Sequence, residues 1–109
     1  MSDSANPLAG AMQQLWTRFL PQMEERVAVV SQAASAYAAG TLTTEQRAAA
    51  AAEAHKLAGV LGTFGLMQGT ELAREAEGIC SDADTSQAAR TARLAEIAEQ
   101  LRTMIAAAR

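Results

Sequence analysis

Apolar residues recur at helical spacing along nearly the whole chain, and the alternation that marks a strand is absent. Asn6-Pro7 reads as an N-cap followed by proline at the first helical position. A short helix is predicted to follow, carrying Leu8, Leu15, Trp16 and Phe19, with Pro21 beginning or kinking the next one. That next helix shows a heptad-like stripe of Leu20, Met23, Val27, Val30, Ala34 and Tyr37, and Gly40 ends it. Thr43 with Gln46 three residues on fits a capping box, so a third helix is predicted from about Thr44 to Phe64, with Gly65 as its stop. A fourth is predicted over roughly Met67 to Ile79, with Leu72, Ala76 and Ile79 on one face. In the loop "GICSDADTS", Asp84 or Thr85 can cap the last helix. That helix turns Leu94, Ile97, Leu101, Met104 and Ala108 inward and Arg90, Arg93, Glu96 and Arg102 largely outward. The prediction is an all-α fold: an antiparallel up-down four-helix bundle with an additional short N-terminal helix.

At 109 residues the chain has the size of a single domain, residues 1–109. Half of it is apolar, but much of that is alanine, and the aromatic residues are only Trp16, Phe19, Tyr37 and Phe64. Leu, Met, Val and Ile must form the core, with Ala where helices approach closely. The net charge of -3 gives no basic excess, which argues against a nucleic-acid partner. Cys80 is the single cysteine, so no disulfide framework exists and a reducing compartment is the natural reading. "MSDSANPLAG" has neither the basic start nor the apolar run of a secretion signal. The longest uncharged stretch, Val27 to Thr44, is too polar to span a bilayer. A soluble cytoplasmic monomer without membrane contact is the expectation.

The sole histidine, His55, lies in "EAHKLAGVLGTFGL" among small residues. With about 100° per helical residue and His55 at zero, Gly59 falls near about 40°, Gly62 near about -20°, Ala52 near about 60° and Ala51 near about -40°. Leu57, Val60, Leu61 and Phe64 fall between about 140° and 240° and define the core face, so His55 is predicted to point away from it. A glycine inside a helix costs about 1 kcal/mol relative to alanine, so Gly59 and Gly62 beside the histidine call for a reason. Two readings stand: another helix of the same bundle packs there, or a different protein docks there to reach the imidazole. Glu53, near about 160° on the same wheel, either sits at the bundle's edge or pairs with an arginine.

This segment resembles the histidine phosphotransfer (HPt) domain family, whose pattern reads roughly A-H-x-L-K-G-x-x-x-x-x-G. Ala54, His55, Leu57, Gly59 and Gly65 fall in place. "GTFG" is similar to the matching run in the phosphorylatable N-terminal domain of chemotaxis histidine kinases, and "ELAREAE" resembles the family's next helix. The resemblance is strongest over residues 50–78. It implies a phosphoryl group carried on His55, with Glu77 at the place of the residue that hydrogen-bonds the other ring nitrogen. Read from its own helix alone, Glu77 is as well an exposed partner of Arg74. Leu57 and Gly65 are the motif's structural positions. The sequence departs from the family at Ala58, where a lysine usually stands near the phosphoryl oxygens. Lys56, a quarter turn away, is a possible phosphoryl or partner contact, or a solvated surface charge.

The resemblance implies a phosphocarrier in a two-component phosphorelay, exchanging its phosphoryl group with a receiver-domain Asp or a histidine kinase. With no nucleotide loop of its own, the chain is not expected to be a kinase. One His and one Cys without ligand spacing give no metal site, and no cofactor is expected beyond Mg²⁺ on the receiver partner. On this reading Gly59, Gly62, Ala51, Ala52 and Ala58 supply clearance on the docking surface around His55. Two rival readings are a docking module of the same fold that is never phosphorylated, and a structural bundle that self-associates through the Ala/Gly stripe.

Overall fold

A computed structural model of the chain describes residues 7–82 and 88–108, with side chains from residue 10 onward. Among them are four helices and no strand: α1 (Pro7–Ala39), α2 (Thr44–Thr63), α3 (Met67–Ser81) and α4 (Ala88–Ala107). The expected caps at Asn6, Asp84 and Thr85, and the Leu8 side chain, lie outside the described residues. α1 packs against α2 and α4, and α3 packs against the same two. Tight turns join α1 to α2 and α2 to α3, so these packed neighbours run antiparallel.

One expectation is corrected. Among the described residues no separate helix precedes the bundle, because α1 is continuous for 33 residues with Pro21 inside it. Proline removes one backbone bond and crowds the carbonyl four residues back, a cost of about 3 kcal/mol. Here Pro21 and Thr17 are both exposed, so the affected turn faces water. Packing on either side holds the helix together. Trp16 is buried and sets its ring edge-on to Phe64, with centroids 5.1 Å apart, and Phe19 meets the same ring at 6.2 Å. Met23, Val27 and Val30 continue the buried stripe beyond the proline.

Both tight turns end helices in the same way. At the end of α1, Gly40 has φ +72°, and the amides of Gly40 and Thr41 donate to Tyr37 and Ala36 carbonyls at 3.1 and 2.9 Å. At the end of α2, Gly65 has φ +75°, and the amides of Gly65 and Leu66 donate to Gly62 and Leu61 at 3.1 and 2.9 Å. These are Schellman caps, which need a residue tolerant of the left-handed region at that glycine. The predicted capping box opens α2: the Gln46 amide donates to Thr43 Oγ1 at 3.0 Å, and the Thr43 amide donates to Gln46 Oε1 at 2.9 Å.

The core is aliphatic and rich in alanine. Met23, Leu57, Leu61, Leu94, Ile97 and Leu101 are fully buried, with Ala50, Ala54, Ala73 and Ala76 between them. Ile105, rather than Met104, is the buried residue of the last turn of α4. Polar groups tie helix ends together. Arg47 in α2 donates to the Cys80 and Ser81 carbonyls at the C-terminus of α3, each at 3.4 Å. Arg93 of α4 grips Glu75 of α3 through Nε and Nη2, the latter at 2.8 Å, and also reaches Glu96. Burial pushes the Cys80 thiol up to about 11, so it stays protonated and unreactive at neutral pH.

The Arg93 hydrogen bond holds the Glu75 carboxyl below its ordinary value of 4.5. A depressed folded-state pKa contributes stability above the unfolded value and loses it as pH falls through the folded one. Arg93→Gln should therefore melt slightly below the native chain at pH 7, a small effect because the pair is exposed. That gap should close as pH is lowered from 4.5 through the depressed pKa of Glu75. Paired thermal melts across pH 7 to 2.5 measure it, and a gap independent of pH would contradict the assignment.

Candidate functional site

His55 sits in the middle of α2, and its side chain is 74% exposed. The ring is held on one side only. Nδ1 lies 3.0 Å from Oε2 of Glu77, which reaches across from α3. An ionised carboxylate can only accept, so Nδ1 carries the hydrogen and donates it. In the neutral ring this leaves the lone pair on Nε2, on the far side of the imidazole from Glu77. The contact favours the tautomer with hydrogen on Nδ1, on a ring whose side chain is largely exposed. Glu77 pairs with His55, not with Arg74 on its own helix.

The face around the ring divides in two. Gly59 and Ala52 are exposed, and a Cβ on Gly59 would meet nothing within 4 Å. Ala51 is half-buried and packs against the core. Ala58 corrects an expectation, since it is 6% exposed and faces α3 rather than a docking partner. The buried side of α2 is centred on Ala50, Ala54, Leu57, Ala58 and Leu61, so it extends further toward the histidine than the leucines alone indicate. Gly62 belongs to the same interior boundary. A Cβ there would stand 3.3 Å from Thr70 Oγ1 of α3, and that hydroxyl donates to the Ala58 carbonyl at 3.0 Å. Both readings of the glycines hold, one for each: Gly59 leaves open surface, and Gly62 admits a neighbouring helix.

Lys56 turns away from the ring toward Glu53, with Nζ 3.7 Å from Oε1. Arg26 of α1 approaches the other oxygen of Glu53, Nε to Oε2 being 3.3 Å. Glu53 therefore pairs across the α1–α2 boundary, one of the two possibilities its wheel position allowed. Leu57 is fully buried, and Gly65 closes α2 as described. Among the described residues no group of three or more His, Cys, Asp or Glu could hold a metal ion, and no helix is long and apolar enough to cross a membrane.

Two residues of this region were not singled out from the sequence. Thr70 is 2% exposed, and Gly69 lets Leu61 and Met104 close over its backbone, where a Cβ would stand 2.9 and 2.8 Å from their side chains. The available signal was spacing. Thr70 precedes Glu77 by the same seven residues that separate His55 from Gly62, which places two matched pairs across antiparallel helices.

The geometry is thus an exposed histidine on one helix, held at Nδ1 by a carboxylate from the next. A family model described as Hpt domain matches residues 14–109, and the chain belongs to that family, whose members serve histidine phosphotransfer in two-component phosphorelays. Protein RcaC of Microchaete diplosiphon is similar, 36% identical over 76 residues that make up 70% of this chain. The chain spans 12% of that relative's length. No solved structure gives a significant match.

The two glycines should respond oppositely to bulk. Gly59→Leu should leave the melting temperature unchanged or raise it, since a helix interior gains about 1 kcal/mol of propensity and nothing obstructs the side chain. Gly62→Leu should lower it, because overpacking against Thr70 costs about 1–3 kcal/mol. Circular dichroism melts of the two variants test this, and equal stability would refute the division of the face.

Proposed function

We propose that this chain is a phosphocarrier that accepts a phosphoryl group on Nε2 of His55 and passes it to the Asp of a response-regulator receiver domain. The carrying observation is the 3.0 Å contact between Nδ1 and Glu77 on a ring that is otherwise exposed. In the accepting step the Nε2 lone pair attacks phosphorus. The P–N bond forms as the P–O bond to the donor's aspartate breaks, and that carboxylate leaves with the electron pair. The ring keeps its Nδ1 hydrogen and becomes a phosphorylated imidazolium, and Glu77 lies against the positive charge that develops. Transfer onward reverses the same bonds at the receiving Asp. A histidine kinase is the alternative donor.

This chain contributes a positioned nucleophile and an accessible surface, and Mg²⁺ would be a component of the receiver's acidic site. Gly59 and Ala52 provide the approach on one side of the ring. Ala58, buried and uncharged, offers nothing to the phosphoryl oxygens, so their compensation falls to the partner. Lys56 is the nearest cation in sequence, and its pairing with Glu53 directs it elsewhere. Action in the cytoplasm as a monomer fits this role.

His55→Gln should abolish acid-labile labelling by phosphorylated receivers, with a stability within about 0.5 kcal/mol of the parent because the side chain is exposed. Glu77→Ala should slow single-turnover transfer about tenfold. That is the low end of the 1.5–3 kcal/mol assigned to a hydrogen bond with a charged group, since water reaches this pair. Label persisting in His55→Gln would move the phosphoryl group to another residue. Unlabelled native protein that still binds receivers would favour the docking module without phosphorylation.

A further inference from the structure

His55 and Glu77 are one rung of a ladder between α2 and α3. The next rung, seven residues along each helix, is Gly62 and Thr70. Seven residues return to within about 20° of the same face and advance about 10 Å, so both rungs lie on one seam. At the first rung a ring nitrogen meets a carboxylate at 3.0 Å. At the second, the Thr70 hydroxyl fits beside Gly62 and donates to the Ala58 carbonyl at 3.0 Å. Thr70 is 2% exposed, and the acceptor of its hydroxyl lies within a turn of His55.

We propose that Thr70 is a positioning residue for the phosphotransfer site, fixing the register of α3 on α2 so that Glu77 and no other residue stands opposite His55. The proposal rests on the assignment of His55 as the phosphoryl acceptor. Toward their ends the two helices are tied by Arg47 on the Cys80 and Ser81 carbonyls and by Leu61 over Gly69. Between these, Ala54, Ala58, Ala73 and Ala76 are buried, and alanine surfaces offer little shape to fix a register. A slip of three residues would bring Arg74 or Cys80 opposite the ring, and a slip of four would bring Ala73 or Ser81. Arg74 and Ala73 cannot accept from Nδ1, Cys80 accepts only weakly, and the Ser81 hydroxyl accepts without supplying a negative charge. The Thr70 bond adds a directional contact that holds the native register close to the site. Thr70 touches neither the ring nor Glu77 in any contact that the structure gives, so its effect passes through α3.

Thr70→Val keeps the shape and removes the hydroxyl. The Ala58 carbonyl retains its helical partner, so no buried group is orphaned and the fold should persist. The readout is the imidazole itself. His55 is the only histidine, so its ¹⁵N shifts report the tautomer without overlap. The native ring should show one tautomer, with hydrogen on Nδ1. Thr70→Val should show a mixture of the two, and Thr70→Ser should restore the native pattern. Single-turnover transfer from a phosphorylated receiver should fall roughly 3- to 10-fold in Thr70→Val, bounded by the loss in Glu77→Ala. The double variant Thr70→Val/Glu77→Ala should be no slower than Glu77→Ala alone, because both act through one contact.

A native tautomer in Thr70→Val, or additive losses in the double variant, would overturn the proposal. If Thr70→Val fails to fold, Gly62→Ala provides the second test. It raises helix propensity while crowding the Thr70 hydroxyl, so it should shift the tautomer in the same direction, and an unchanged ring would again overturn the proposal. Native protein that shows a single tautomer but accepts no phosphoryl group would defeat the functional assignment and leave the register argument standing.

Discussion

The spacing between α2 and α3 governs the chemistry of this domain. Alanine and glycine recur among the buried residues of α2 and α3, and the Glu77 carboxylate reaches across to within 3.0 Å of His55 Nδ1 while the ring stays exposed. The same spacing explains why the buried hydroxyl is a threonine. A short branched side chain can span this gap to a main-chain carbonyl, whereas a longer one would separate the helices.

Much of this was legible in the sequence because it depends on local rules. The capping box at Thr43, the glycine stops at 40 and 65, and the stripe from Met23 to Tyr37 are properties of single helices, and each appears where the residues indicate. The site was legible for a different reason: the outward direction of His55 follows from the leucines on the opposite face. What was not legible depends on neighbours. Pro21 ordinarily interrupts a helix, and its tolerance depends on the Trp16 and Phe19 contacts with Phe64 across the bundle, on the buried stripe beyond it and on the turn it disturbs facing water. Ala58 and Gly62 share the histidine's side of the wheel, yet α3 claims them, and a helical wheel of α2 contains no information about α3. Glu53 was ambiguous for the same reason, since its partner Arg26 lies on α1.

The charges near the histidine are arranged economically. Glu77 is committed to the ring, while Glu53 draws in both Arg26 and Lys56 from two helices. Around the ring, Gly59 and Ala52 are the exposed residues without charge.

The length of α1 has a thermodynamic consequence. At 1.5 Å per residue its 33 residues span about 50 Å, against about 30 Å for the 20-residue α2, and the molecule measures 54 Å along its long axis. Residues 10–15 are mostly exposed, and burial begins at Trp16. One continuous helix thus contains two regimes. Beyond Trp16 its backbone hydrogen bonds open only when the bundle unfolds. Before it they are sustained by local propensity alone, which is marginal for so few turns, and Gly10 weakens it further. Amide exchange along α1 should therefore be graded within a single element of secondary structure, with the gradient beginning at an aromatic cluster rather than at the end of a helix.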